Sequence, residues 1–214
     1  MYNRSKALRV ALYLAIATIV YNIAEGLISV WFGLSDETLS LLGFGIDSFV
    51  EVISGAGILH MVYKLRSTGE ESQDAFERNA LRITGFSFIL LTAGLVFGSV
   101  INIITGARPE TTVPGIIISI VSILTMYFLM KAKVNIGRKL NSDAIVADAM
   151  CTRTCFYLSI ILLLSSLLYE IFKISYIDIA GSLLIAYFAF REGLEAFEKA
   201  AGKKTCSCAD NCHV

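Results

Sequence analysis

Six stretches of this 214-residue chain are apolar over roughly the length of a bilayer: residues 7–33, 38–63, 80–105, 113–131, 144–169 and 175–191. A membrane-crossing helix needs about 20 mostly apolar residues. No water reaches the backbone in lipid, so each run must bond its own amides and carbonyls as a helix. Two prolines, 56% hydrophobic residues and a mean hydropathy of +0.69 place the chain outside the range of an ordinary soluble domain. The expected fold is an all-α membrane protein, a bundle of six transmembrane helices. The longest connection, YKLRSTGEESQDAFERNALR, has mixed charge and reads as a solvated loop. The start, MYNRSKALRVALYLAIA, has the basic residues and A-x-A triplet of a cleaved leader, but the apolar run continues past the triplet at spanning length and reads as the first helix. Residues 1–193 form the expected six-helix transmembrane domain and 194–214 a short tail.

The formal net charge is zero, which gives no reason to expect a nucleic-acid partner. Its distribution is informative, because basic residues collect on the cytoplasmic side of membrane helices. Arg4, Lys6 and Arg9 precede the first run, and Lys64, Arg66, Arg78 and Arg82 follow the second. Lys131, Lys133, Arg138 and Lys139 follow the fourth, and Arg191, Lys199, Lys203 and Lys204 follow the sixth. These fifteen share one side, against Arg108 and Lys173 on the other, with Arg153 inside the membrane. Both termini are therefore expected in the cytoplasm, and the chain in the cell (inner) membrane as a multi-pass protein.

A charged side chain at the bilayer centre costs about 2.5–3.5 kcal/mol even on the lenient insertion scale, so the charges that interrupt the apolar runs are candidates for function. They are Glu25, Asp47, Glu51, Asp148, Arg153 and Asp178. Asp148 and Asp178 lie near helix ends and suit structural roles. Glu25 can pair with Arg153, and Glu25, Asp148 and Arg153 together form a candidate proton or ion-pair network. Asp47 and Glu51, in GFGIDSFVEVISG, stand one helical turn apart on one face, deep in the second run. Two like charges there repel unless a cation lies between them or they share protons. Gly43, Gly45, Gly55 and Gly57 would let neighbouring helices approach that helix closely.

The fifth run contains ADAMCTRTCFY, where Cys151 and Cys155 repeat the same i, i+4 spacing and project about 6 Å apart along the axis. Taken alone, such cysteines read as small hydrophobes. A disulfide within one helical turn is disfavoured by bridge geometry. Together with the carboxylates, however, they can furnish four ligands to one ion, the number zinc prefers. Each pair lies on the middle helix of one half of the chain, as in an inverted-repeat transporter with its site at the repeat interface.

These motifs resemble the cation diffusion facilitator family, whose members export zinc and related divalent metals in exchange for protons. Its second-helix motif, Asp or His followed four residues later by Asp, is matched by Asp47 and Glu51 in GFGIDSFVEVISG. NSDAIVADAMCTRTCFY is similar to its fifth-helix motif: Ser142, Ala144, Ala147 and Asp148 match the lead-in, and Cys151 and Cys155 occupy the His and Asp positions. YIDIAGSLLIAYF, with Asp178, resembles the start of its sixth helix. The likeness covers roughly residues 8–193 and implies six helices, cytoplasmic ends and a metal site at Asp47, Glu51, Cys151 and Cys155. Glu51 departs from the usual Asp, the cysteines put the usual metal in doubt, and about twenty residues follow the sixth run where family members usually continue into a dimerising cytoplasmic domain. A homodimer is left open.

The tail, KKTCSCADNCHV, gathers Cys206, Cys208, Cys212 and His213, which in a reducing compartment suit metal capture better than a disulfide. The expected function is efflux of a divalent heavy metal against protons, with the metal as cargo, no cofactor and no enzymatic step. Carboxylates and thiols bind metal when deprotonated, so loading releases protons and reprotonation expels the ion. Thiolates favour zinc, cadmium or softer ions over magnesium, calcium and manganese. Two alternatives stand beside this reading: a membrane thiol-disulfide oxidoreductase cycling Cys151 and Cys155, which leaves the carboxylates unexplained, and a metal sensor or scaffold without transport.

Overall fold

The computed structural model describes residues 4–36, 38–68, 75–106, 109, 112–140 and 143–202. The described residues form α1 (Arg4–Ser35), α2 (Leu39–Thr68), α3 (Ala75–Thr105), α4 (Val113–Leu140), α5 (Asp143–Phe172) and α6 (Ser175–Ala200). All six apolar runs are helical. α4 and α6 continue well past the ends of theirs, so Lys131, Lys133, Arg138 and Lys139 belong to a helix rather than to a loop. α1 to α5 each contain a segment long and apolar enough to cross a membrane. In α6 the uninterrupted apolar stretch is short, bounded by Asp178 at one end and by Arg191 and Glu192 at the other. It is nevertheless packed into the bundle against α3, α5 and α2.

The helices close a ring in the order α1, α2, α3, α6, α5, α4, with α4 returning to α1 and α2 also touching α5 and α6 across the middle. Large apolar side chains point outward: Trp31, Phe97, Phe128 and Ile171 are all exposed. Small polar ones point inward, and Ser29, Ser40, Ser99, Ser122, Ser159 and Ser182 are buried. This inversion of the soluble pattern is what a lipid solvent selects, since apolar surface gains nothing by being hidden while polar groups must find partners inside. Ser99 and Ser182 join α3 to α6 at 3.0 Å, and Ser159 donates to Ser122 at 2.8 Å between α5 and α4.

Glycines set how closely the ring closes. A methyl group on Gly45 would stand 2.8 Å from Val30 N on α1, and one on Gly85 or Gly193 would meet the other's carbonyl at 3.1 or 3.2 Å. Of the four α2 glycines expected to admit neighbours, Gly43 faces Leu95 and Gly55 faces Ile19. α2 is the most buried and least apolar of the five candidate spans.

Two helix starts are capped from other helices. Asp178 on α6 accepts hydrogen bonds from Leu39 N at 3.0 Å, Ser40 N at 3.3 Å and Ser40 Oγ, closing the first turn of α2. Glu170 on α5 accepts from Thr112 N at 3.3 Å and Thr112 Oγ1 at 3.2 Å, just before α4 begins. Each satisfies amides that a helix start leaves without internal partners and places negative charge at the positive end of a helix dipole. Both caps lie at the end of the bundle away from the chain termini.

Candidate functional site

The facing of α2 and α5 brings together residues far apart in the chain. Cys155 Sγ donates a hydrogen bond to Glu51 Oε1 across that contact. The other carboxylate oxygen of Glu51 accepts from Asn22 Nδ2 of α1 at 2.8 Å. An ionised carboxylate can only accept, so the amide nitrogen of Asn22 must face it, and its Oδ1 is left turned elsewhere. That oxygen is buried without a hydrogen-bond partner, as is Oδ1 of Asp47. Asp47 is 2% exposed and stands one turn before Glu51 on the same face. Buried polar oxygens are almost always paired, so two orphans among the residues lining one cavity mark a place to ask what they serve.

A cavity of about 60 Å³, space for a handful of waters at roughly 10–15 Å³ each, lies against these groups. Its polar lining includes Asn22, Asp47, Glu51, Lys133, Thr154 and Glu192. At its deeper end stand Asn22, Asp47 and Glu51, near the midpoints of α1 and α2. Further along are Lys133, two turns before the end of α4, and Lys199, in the last turn of α6. The cavity therefore leads from mid-depth toward the end of the bundle that carries both termini. Thr154 Oγ1 donates to Glu192 Oε1 at 2.9 Å, and Lys133 Nζ to Thr152 Oγ1 at 2.9 Å, along its wall.

The residues singled out from the sequence are distributed as follows. Asp47, Glu51 and Cys155 share the α2–α5 region, with Glu51 and Cys155 bonded directly. Cys151 is one turn before Cys155 on α5, but its side chain lies outside the described residues, as does that of Asp148. Cys206, Cys208, Cys212 and His213 also fall outside them. Among the described residues no three His, Cys, Asp or Glu side chains gather closely enough to hold a metal ion. The Glu51 oxygens are taken up by the hydrogen bonds from Cys155 and Asn22. Glu25 accepts from Tyr21 Oη at 2.8 Å and Ser48 Oγ at 3.2 Å. The Arg153 guanidinium lies 6.0 Å from the centre of the Tyr157 ring. Asn22, Lys133 and Glu192 were not singled out. Asn22 was detectable as a polar residue in mid-run, but a search for charges passes over it. Lys133 and Glu192 were hidden because the apolar runs end before the helices do.

An inward-polar ring of apolar helices, with two carboxylates, an amide and a thiol at mid-depth near a small cavity, is the arrangement of an integral multi-pass membrane protein. The chain belongs to the cation efflux family, whose transmembrane domain matches residues 11–202. It is also similar to an uncharacterized transporter of Methanocaldococcus jannaschii, at 30% identity over 183 residues, which are 82% of this chain and 64% of that protein. The chain thus spans less than two-thirds of that relative's length.

Proposed function

We propose that the protein exports a divalent heavy metal, zinc or cadmium before harder ions, in exchange for protons, through a site made by Asp47, Glu51, Cys151 and Cys155. The observation that carries the reading is the hydrogen bond from Cys155 to Glu51, which joins the α2 and α5 motifs across 104 residues of chain. Hydrogen bonds from Cys155 and Asn22 occupy the same Glu51 oxygens that an ion would take. Protonation of the Glu51 carboxylate and the Cys155 thiol competes with metal for these atoms, the basis of exchange. The mixed sulfur and oxygen donors favour borderline and soft ions over magnesium, calcium or manganese. The charge asymmetry supports an orientation with both termini in the cytoplasm of the cell membrane. In that orientation the cavity faces the metal supply, and the Cys206, Cys208, Cys212 and His213 tail acts as an accessory collector.

Purified protein in proteoliposomes, with a zinc gradient imposed and a pH indicator trapped inside, tests this. Zinc and cadmium movement coupled to opposite proton movement is expected, with little magnesium or manganese flux. Metal movement without any proton signal would remove the antiport, and absence of flux for all four ions would remove the transport reading of the site.

A further inference from the structure

The buried face of α1 carries a polar stripe that the proposed metal site does not account for. Thr18 and Asn22 line the cavity from this helix, and Glu25 and Ser29 continue the stripe about one and two turns further toward the end away from the termini. Asn22 bonds Glu51 and, three residues on, Glu25 bonds Ser48, so the two contacts are successive rungs between α1 and α2. Ser48 is next in the chain to Asp47, and a charge on Glu25 acts on both Asp47 and Glu51. Among the described residues the hydrogen-bond partners of Glu25 are three neutral hydroxyls, those of Tyr21, Ser48 and, from α4, Ser122. An ionised carboxylate at membrane depth is costly without a cation. The geometry suits a protonated acid instead. Ser48 Oγ stands 3.2 Å from both Glu25 Oε2 and the Phe44 carbonyl, and a hydroxyl has a single hydrogen for the two. A proton on Oε2 resolves this, because Glu25 then donates to Ser48 and Ser48 to Phe44, while Tyr21 still donates to Oε1 at 2.8 Å.

We propose that Glu25 is the proton-transfer residue of the exchanger: it delivers a proton to the Asp47 and Glu51 region once a metal ion has left, and takes its replacement from the outer side of the membrane. This rests on the metal/proton exchange proposed above and deepens it by naming a proton carrier that is not a metal ligand. The O–H bond of Glu25 breaks as one forms on the emptied carboxylate pair, and the ionised Glu25 is then reprotonated from outside. While the ion is present its charge opposes a proton on the pair, and once it has gone the two carboxylates draw one. The direction follows from position. The cavity reaches Asn22 from the end bearing the termini, whereas Glu25 lies level with Ser48, beyond Asn22 and Glu51. One turn further out stands the Ser29 hydroxyl, buried and without a hydrogen-bond partner. The titratable groups facing Glu25 are Tyr21 from its own helix and Asp47 and Glu51 from α2. From α4 it meets Ser122, with Lys133 about three turns further along that helix.

Two substitutions separate this from a role in holding α1 to α2. Glu25→Gln keeps the shape and the hydrogen bonds but cannot pass a proton on, and Glu25→Asp keeps a titratable group. In proteoliposomes two rates are compared: zinc flux driven by an imposed pH gradient, and exchange of labelled for unlabelled zinc at equal pH, which needs no net proton movement. In Glu25→Gln the pH-driven flux should fall by about 100-fold, the lower end of what a positioned proton-transfer group contributes, while exchange persists. Glu25→Asp should restore most of the pH-driven flux. Parental pH-driven flux in Glu25→Gln overturns the proposal, as does a Glu25→Asp flux as slow as that of Glu25→Gln. Parallel loss of flux and exchange overturns it too, since that is the signature of a residue that only joins helices or shapes the metal site. If the parent exchanges zinc without any proton coupling, the antiport reading fails, and if it moves neither zinc nor cadmium, the site reading fails. The inference falls with either.

Discussion

At the end of the bundle away from the termini, Asp178 and Glu170 reach from α6 and α5 to close the first turns of α2 and α4. Tyr169 there donates to the Pro109 carbonyl at 2.6 Å and Thr112 to that of Ser166 at 2.8 Å. At the opposite end, α4 and α6 run on past their apolar stretches and line a cavity with Lys133, Glu192 and Lys199. Both ends contain acidic side chains. At the far end Asp178 and Glu170 accept backbone amides, whereas in the cavity Asp47 keeps a buried oxygen without a hydrogen-bond partner. A buried carboxylate with satisfied lone pairs holds structure together, and one with unsatisfied lone pairs is available to a ligand.

The contrast can be broken at several points. Asp47→Ala should give the largest effect, lowering zinc flux by more than about 100-fold, since even indirect partners of a metal ligand are typically worth 10–100-fold. The protein should still insert and unfold normally in detergent, and a variant retaining parental flux would show that the orphan oxygen serves no ion. Asp178→Ala should do the reverse, costing about 2 kcal/mol of stability by leaving the α2 amides without acceptors, with zinc affinity preserved. Thermal unfolding beside zinc titration checks both halves. If affinity fell as steeply as stability, the two ends would not be separable.

Cys155→Ser keeps a donor to Glu51 but replaces sulfur by oxygen. The preference for cadmium over zinc should decline by roughly tenfold, about 1.4 kcal/mol, measured by competitive flux. An unchanged preference would assign Cys155 to packing. The smallest effect is expected of Thr112→Val at the far end, about 1 kcal/mol of stability through the lost hydroxyl bonds to Ser166 O and Glu170. Flux should be unaltered, and a faster or slower flux would make this end part of the moving machinery.

The helices were legible because lipid imposes one simple demand on each segment, and the α2 pair was legible because Asp47 and Glu51 violate it with helical spacing. Asp178 was visible as a charge but its role was not, since its partners Leu39 and Ser40 lie 139 and 138 residues away and no local pattern encodes such a pairing. Lys133 shows a different failure. Counting basic residues by side of the membrane put it among loop charges, because apolarity fades after Met130. The helix continues regardless, and its inward face carries that lysine to the cavity. Asn22 escaped because its importance lies in which atom it offers Glu51, a matter of orientation rather than composition.

The position of α2 in the order of synthesis has a consequence for how the protein is made. This helix is the least apolar of the five candidate spans, yet the groups that accommodate its polar face arrive late: Cys155 follows Glu51 by 104 residues and Asp178 follows Leu39 by 139. At roughly 5–20 residues per second, translation leaves that face without those partners for on the order of 10 s. During that interval the newborn helix depends on the insertion machinery or on α1 and α3 for shelter. Yield in the membrane, more than the stability of the finished bundle, is where added polarity on α2 should first be felt, and quality control of the nascent chain has its opportunity then.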